Sequence, residues 1–209
     1  MEISAVIPAY NEELRIRHVL DTLTKYSSLT DIIVVDDGSE DGTSLVVTEY
    51  ENVNLIRLSE NKGKAQAIKE GLKQCKGEII FLLDADLIGL NSEHIETMLE
   101  PLLHSDIEMT VGIFKTGRLI TNLSQKIAPG LSGQRAFKNI LLEDILNLKM
   151  SGYSAEVAIS KYIKANGIKM QKVFLKDISH VMKEEKFGFS KGVVWRLKMY
   201  KDILKYWIN

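Results

Sequence analysis

Residues 78–89 read EIIFLLDADLIG and join an apolar run to a pair of carboxylates. The run over 78–83 has the length and composition of a buried strand, and Asp84 and Asp86 follow it one residue apart. Alternate side chains of an extended segment point to the same side, so the two carboxylates would share one side, with Ala85 on the other. In isolation such a pair is often only a turn at a strand end. The stretch therefore predicts a strand that ends in carboxylates, and their purpose depends on what surrounds them.

Strand and helix patterns alternate through the first half of the chain. Helical spacing of apolar residues predicts a helix after each of the first three strands. Asn11 is the expected N-cap of the first helix, Asp41 or Thr43 would begin the second, and Gly77 would end the third. This alternation predicts an α/β fold with a mostly parallel central sheet flanked by helices. The strands are predicted at 3–8, 31–37, 52–58 and 78–83.

The composition limits the classes of protein to consider. A chain of 209 residues with 45% hydrophobic content is expected to form one domain with a sizeable core. A net charge of −1 argues against a dedicated nucleic-acid binder. The single cysteine, Cys75, excludes an internal disulfide, fits a reducing compartment, and falls on an apolar helix stripe, so we expect it in the core. With no long apolar run and no signal-peptide pattern, the sequence predicts a cytoplasmic protein.

Polar clusters follow all four predicted strands. In a sheet of this kind the ligand crevice lies outside the carboxyl ends of the strands, so the clusters should converge at one edge. Helix N-termini and lysines favour anions, and spaced carboxylates hold Mg²⁺ or Mn²⁺. The sequence therefore predicts a site for a phosphate-bearing ligand with a divalent cation. The clusters are residues 8–11, 36–39, 61–64 and 84–86.

Four motifs in this order, VIPAYNEE, VVDDGSEDGT, NKGKAQAIKEG and FLLDADL, resemble the nucleotide-sugar domain of family 2 glycosyltransferases with a GT-A fold. The resemblance is close over residues 1–90, which would form the nucleotide-binding half, with 91–190 as the acceptor half. It implies that Asp37 hydrogen-bonds the base and that Lys64 lies near the base or the diphosphate. It also implies that the nucleotide pocket is lined by Pro8, Ala9, Tyr10 and Glu12.

The resemblance also gives the two aspartates their roles. Asp84 would face the ribose or the water shell of the metal, with Ala85 beside it in the nucleotide-sugar site, and Asp86 would be the direct metal ligand. A bound cation would stabilise the negative charge that develops on a nucleotide diphosphate leaving group. For Asp36 a turn or cap role is the alternative, and Lys62 could be an ordinary solvated lysine.

The second half carries fewer signals. Residues 108–115 predict a strand, and 122–145 predict a loop that passes into a helix. Residues 131–137 resemble the segment where the acceptor half of the family's site begins. Gly133 there would permit a close backbone approach. Arg135 would contact a diphosphate or an acceptor anion, or else form a salt bridge at the rim of the core.

Two further residues complete the predicted site. Glu156 stands at the start of a predicted helix, with Ala155, Ala158, Ile159 and Ile163 on its inner face. It is either the general base for an acceptor hydroxyl, if the reaction inverts the anomeric centre, or a first-turn acid favoured by the helix dipole. If the reaction retains configuration, Glu156 would position the acceptor. A strand suggested by Val173 and Leu175 leads towards His180.

By resemblance to glucosyl-3-phosphoglycerate-synthase-like enzymes, His180 would complete the metal site with Asp86; a satisfied loop histidine or an acid catalyst are the alternatives. Polyprenyl-phosphate sugar transferases are also similar. Ile88 departs from them, because it stands where a polar metal contact is frequent.

Residues 191–209 predict an amphipathic C-terminal helix in a segment, 183–209, with seven Lys/Arg against three Asp/Glu. Such a helix would lie on a membrane surface, pack on its own domain, or join two copies in a homodimer.

The sequence as a whole predicts a metal-dependent transferase of a hexose from a nucleotide-diphospho-sugar (UDP or GDP) to an acceptor hydroxyl or phosphate, such as a polyprenyl phosphate or a cell-envelope precursor. A nucleotidyltransferase and a non-catalytic nucleotide-sugar-binding protein are the alternatives.

Overall fold

The structure is a computed structural model that describes residues 2–115, 132–150 and 155–180. The strands are β1 (Ile3–Ala9), β2 (Leu29–Asp36), β3 (Val53–Arg57), β4 (Ile79–Leu82), β5 (Leu87–Ile88), β6 (Met109–Lys115), β7 (Arg135–Lys138), β8 (Met170–Lys176) and β9 (Ser179–His180). The helices are α1 (Ile16–Leu23), α2 (Thr43–Thr48), α3 (Lys64–Leu72), α4 (Ser92–His104), α5 (Leu142–Asn147) and α6 (Ala155–Ala165), with a 3₁₀ turn over Asn139–Leu141.

Within these ranges seven strands form one sheet in the order β3-β2-β1-β4-β7-β6-β8. The β1–β2, β1–β4, β2–β3 and β6–β8 pairs are parallel, whereas β7 is antiparallel to both of its neighbours. The predicted α/β fold with a mostly parallel sheet is therefore confirmed. A separate two-stranded ribbon joins β5 to β9.

Helices cover both faces of the sheet, which explains why its central strands read as continuous apolar runs. On one face α1, α2 and α4 enclose a core with β1 and β4, in which Val19, Leu20 and Met98 are fully buried. On the other face α3, α5 and α6 pack on a second core that includes Ile68 and Ile159. The four apolar positions predicted for the inner face of the helix at Glu156 are all buried, as expected.

Two predicted helix boundaries are wrong. Asn11 does not cap α1, which begins at Ile16; it adopts a positive φ of 54°, and its side-chain oxygen accepts a hydrogen bond from Glu40 N at 2.9 Å. Gly77 does not end α3, which stops at Leu72. In both places a contact between distant segments outweighs the local signal. Asparagine tolerates the left-handed region, so Asn11 can reach the loop at Glu40. Gly77 packs against the backbone of β1, where a Cβ would lie 2.6 Å from Ser4 N.

The segment 122–145 was predicted to pass from loop to helix, and the structure corrects this. Arg135–Lys138 is a strand that fills the gap between β4 and β6. Four residues with a charge at each end lack the apolar pattern of a central strand, so their pairing depends on partners far away in the sequence. The helical part of the prediction is α5.

In the described ranges, no helix combines the length and the apolar character needed to cross a bilayer. The predicted C-terminal amphipathic helix, 191–209, lies outside the described residues.

Candidate active site

The carboxyl ends of β1, β2 and β3 border an open cleft of about 620 Å³. Its wall includes Tyr10 after β1, Ser39 and Glu40 after β2, and Arg57 and Asn61 at the end of β3 and beyond. This volume lies within the ordinary range of ligand pockets. Three of the four predicted clusters thus contribute to one concave surface.

The predicted pocket residues beside this cleft are partly structural. Ala9 is buried in β1, and Pro8 and Tyr10 are half-buried. Glu12 is buried; its backbone N–H donates to Thr43 Oγ1 at 2.8 Å, and its carboxylate pairs with Arg15 at 3.3 Å. Glu12 therefore ties the loop after β1 to the start of α2.

Asp36 and Asp37 both hold loops. Asp36 is fully buried and accepts hydrogen bonds from Ser39 N at 2.8 Å and from the Ser44 hydroxyl, which is the turn role weighed for it. The two carboxylate oxygens of Asp37 accept the backbone N–H groups of Lys62 and Gly63, each at 2.8 Å.

Burial raises the pKa of Asp37, although these two hydrogen bonds act in the opposite direction. The carboxylate fixes the loop that leads directly into α3. The predicted hydrogen bond from Asp37 to a base stays a prediction.

Lys64, the first residue of α3, joins the two predicted halves of the site. Its ammonium lies 2.6 Å from Asp84 Oδ1 and 2.6 Å from Glu156 Oε1. Burial alone would lower the pKa of Lys64, but the two carboxylates outweigh it and raise that pKa above its usual value. The three side chains are only 24%, 16% and 10% exposed, so the charges interact in a partly dehydrated environment. One lysine therefore gathers the strand-end aspartate and the acceptor-half glutamate, 92 residues away, into one cluster.

Asp84 also contacts a residue that sequence reasoning missed. Gln134 Nε2 donates to Asp84 Oδ2 at 2.8 Å, and the Gln134 side chain is fully buried. A Cβ on Gly133 would lie 2.5 Å from the same carboxylate oxygen, which confirms the close approach predicted there. The only signal for Gln134 was its place between Gly133 and Arg135 in a segment that resembles the family.

Arg135 is 1% exposed, and its guanidinium contacts protein atoms. It donates to Ser132 O at 3.1 Å, to Glu156 O at 3.1 Å and to Ser160 Oγ at 2.9 Å. Burial lowers the pKa of Arg135 to about 10. These contacts hold the first turn of α6, and with it Glu156, against β7. Contact with a diphosphate stays a prediction that would require the guanidinium to leave the interior.

The predicted metal ligands lie at the start of the β5–β9 ribbon. Asp86 is half-buried and immediately precedes β5, and Ala85 beside it is buried. The backbone of His180 pairs with that of Leu87, so the register brings His180 next to the residue that follows Asp86. Among the described residues no three His, Cys, Asp or Glu side chains form a metal-binding cluster. Mg²⁺ commonly takes one or two protein carboxylates and completes its shell with substrate phosphates, so a single carboxylate such as that of Asp86 is compatible with a metal ligand, and the role of His180 stays a prediction.

Cys75 follows α3, where its thiol packs against the core and lies 3.6 Å from Gly71 O. Burial raises the pKa of Cys75 to about 12. The predicted place on the helix stripe is wrong, because α3 ends at Leu72; Cys75 is half-buried and packs against the edge of the core.

Comparison with known sequences finds similarity to glycosyltransferases. The profile described as "Glycosyl transferase family 2" matches residues 4–156. A dolichyl-phosphate beta-glucosyltransferase of Dictyostelium discoideum is 30% identical over 156 residues, covering 67% of this chain and 46% of that protein. An uncharacterised protein of Methanocaldococcus jannaschii is 32% identical over 194 residues, covering 79% of this chain and 83% of that protein. The chain thus spans less than half of the length of the Dictyostelium relative.

A solved structure shares the fold. Glucosyl-3-phosphoglycerate synthase from Mycobacterium tuberculosis, in complex with Mn²⁺, UDP and glucosyl-3-phosphoglycerate, matches with a TM-score of 0.78 and 22% identity, covering 99% of this chain and 78% of that chain. This likeness confirms the expected GT-A fold. Together with the profile match over residues 4–156, it shows that the chain belongs to glycosyl transferase family 2.

Proposed function

We propose that this protein transfers a hexose from a nucleotide-diphospho-sugar to an acceptor, with the help of a divalent cation. The observation that carries the proposal is the contact of Lys64 with both Asp84 and Glu156 at the carboxyl edge of the sheet. It combines a cation suited to a diphosphate with carboxylates suited to a metal or an acceptor, beside a cleft large enough for a nucleoside. Family membership favours this function over a nucleotidyltransferase or a non-catalytic binding protein.

UDP-glucose is the proposed donor. Glucose appears in the name of the Dictyostelium relative, and glucosyl-3-phosphoglycerate synthase was solved with Mn²⁺ and UDP-glucose. In this chain the base would occupy the cleft beside Tyr10, and the diphosphate would lie towards Lys64 and Asp86. GDP-linked sugars are the competing donor class that an assay has to include.

The cation would be held by Asp86 and His180 and completed by donor phosphates. When bound, Mg²⁺ or Mn²⁺ supplies Lewis-acid stabilisation of the leaving diphosphate. In this proposal the protein holds the carboxylate of Asp86 beside the donor site. The β5–β9 pairing keeps the backbone of His180 next to Leu87, the residue that follows Asp86. Transfer rates measured with Mg²⁺ and with Mn²⁺ would decide between the two metals.

A polyprenyl phosphate is the proposed acceptor class. Glu156 Oε1 is ion-paired with Lys64, so an acceptor hydroxyl would have to give its proton to the other carboxylate oxygen, Oε2. A phosphate acceptor is already ionised at neutral pH and needs no base. The Dictyostelium relative is named for dolichyl phosphate, which agrees with this chemistry. Association with a membrane or as a homodimer through residues 191–209 stays a prediction.

The test is a transfer assay with UDP-glucose and GDP-mannose as donors, and with a short-chain polyprenyl phosphate and 3-phosphoglycerate as acceptors. Each reaction is run with Mn²⁺, with Mg²⁺ and with EDTA, on wild type and Asp86→Ala. We expect glucosyl-phosphoprenol from UDP-glucose only when metal is present, and a loss of at least about 100-fold in Asp86→Ala. Full activity in EDTA would refute the metal dependence. Transfer to 3-phosphoglycerate alone would refute a polyprenyl phosphate as the acceptor.

A further inference from the structure

We propose that Gln134 is a positioning residue, which fixes the carboxylate of Asp84 for donor binding. The contact between Gln134 and Asp84 is a feature of the described residues. The effect of this contact on donor affinity rests on the proposed function. Sequence patterns did not single out this glutamine, and its neutral side chain cannot serve as an acid or a base.

The amide of Gln134 has a defined orientation. Its Nε2 donates to Asp84 Oδ2 at 2.8 Å, and its Oε1 lies 3.2 Å from the hydroxyl of Ser132. A carboxylate only accepts hydrogen bonds, so a flipped amide would place two acceptor oxygens against each other. Since Gln134 is fully buried, no water would compensate for that contact.

Glycines on both sides make room for this contact. A Cβ on Gly133 would lie 2.5 Å from Asp84 Oδ2, and a Cβ on Gly112 of β6 would lie 3.2 Å from the Cβ of Gln134. The carboxylate of Asp84 therefore rests directly against the backbone at Gly133. The approach is close enough that Gln134 reaches it with a short hydrogen bond.

Asp84 is consequently held at both oxygens by different halves of the site. Lys64 contacts Oδ1 at 2.6 Å from the nucleotide-binding half, and Gln134 contacts Oδ2 from the acceptor half. Rotation of the carboxylate would break both contacts. Because the amide is neutral, it fixes Asp84 without adding a charge that competes with Lys64 or with a metal. Gln134 thus acts through Asp84.

The experiment measures the dissociation constant of UDP with Mn²⁺ by calorimetry. The variants are Gln134→Leu, Asp84→Ala and the double variant, with Gln66→Leu as the control. The amide of Gln66 also donates to a carboxylate, that of Glu70, at 2.6 Å, but this half-buried pair lies within α3 and contacts none of the proposed site residues named above. Gln134→Leu removes a hydrogen bond to a charged group, so we expect the dissociation constant of UDP to rise about 10- to 100-fold. For Gln66→Leu we expect it to stay within about twofold of the wild-type value. In the Asp84→Ala background, Gln134→Leu should cost nothing further.

Two results would overturn the proposal. One is a Gln134→Leu variant with a lowered melting temperature and an unchanged dissociation constant, which would make the residue purely structural. The other is a loss that adds in full to that of Asp84→Ala.

If wild type binds neither UDP nor GDP, the proposed function fails, and a measurement without donor decides whether Gln134 holds Asp84. The side-chain NH₂ resonance of Gln134 should exchange slowly with solvent in wild type and faster in Asp84→Ala. Equal exchange in both proteins would refute the contact.

Discussion

The ion-paired cluster around Lys64 makes a quantitative prediction about stability. Replacing Lys64 by Met keeps the length of the side chain and removes the positive charge that lies between Asp84 and Glu156. Since the ammonium lies 2.6 Å from each oxygen, these two oxygens are no more than about 5.2 Å apart. At an effective dielectric constant of about 20, two negative charges at that distance repel by about 3 kcal/mol.

Removing one partner of a buried ion pair typically costs about 3–5 kcal/mol, and the 24% exposure of Lys64 favours the lower end of this range. We therefore expect Lys64→Met to lower the free energy of unfolding by about 3 kcal/mol. For a chain of this size that corresponds to a fall of about 6–12 °C in melting temperature. The assay is urea and thermal unfolding followed by circular dichroism at pH 7. The matched control is Lys73→Met, whose exposed pair with Glu70 should be worth no more than about 1 kcal/mol.

The double variant Lys64→Met/Glu156→Gln tests the reasoning itself. If repulsion between the carboxylates causes the loss, the neutral glutamine should restore about 2 kcal/mol, because its amide can also donate to Asp84. A double variant less stable than Lys64→Met alone would refute the explanation.

The pH dependence follows from the raised pKa of Lys64. A lysine whose pKa is higher in the folded state stabilises the protein fully at any pH below its pKa in the unfolded state. This stabilisation is lost only as the pH rises through the pKa of the folded state. The stability difference between wild type and Lys64→Met should thus stay constant from pH 7 to 9.

Three further predictions concern single positions. Asp37→Asn offers one acceptor oxygen to two loop amides, so it should lower the unfolding free energy by about 1–3 kcal/mol in urea denaturation and speed hydrogen exchange in that loop. Gly133→Ala should displace the carboxylate of Asp84 and weaken calorimetric UDP binding at least about tenfold, since the added Cβ would lie 2.5 Å from Oδ2. Cys75, with its pKa raised to about 12, should react with iodoacetamide at pH 8 roughly 10³-fold more slowly than a free thiol, and native and urea-unfolded protein compared by mass spectrometry would check this.

The strands of the first half were predictable because burial on both sheet faces gives continuous apolar runs. β1 and β4 are buried along almost their whole length, and their signals do not depend on distant residues. The strand ends, and therefore the side chains gathered at the carboxyl edge, followed from the same runs. Local signals were weaker at loops: Asn11 looked like a helix cap, but its amide joins two loops 29 residues apart.

The pairing within the site was not predictable from the sequence. Lys64 and Glu156 were both singled out, yet nothing in a linear pattern shows that one ammonium contacts a carboxylate 92 residues away. Gln134 was passed over because a neutral amide carries no catalytic signal. The role proposed for it rests on its complete burial and on a hydrogen bond to a carboxylate 50 residues away, and only the fold provides these two properties.

The direction of a single strand explains how residues from the second half of the chain reach the carboxyl end of β4. β7 runs antiparallel between β4 and β6, with Arg135 opposite Leu82 at the carboxyl end of β4. The residues that precede β7, Gly133 and Gln134, therefore arrive beside Asp84. In a parallel strand the same start would lie at the opposite edge of the sheet, away from Lys64. The buried guanidinium of Arg135 then holds the first turn of α6, which brings Glu156 to the same place. A slip of one residue in this pairing would turn Arg135 to the other face of the sheet, so the register of β7 determines whether the two halves of the site meet.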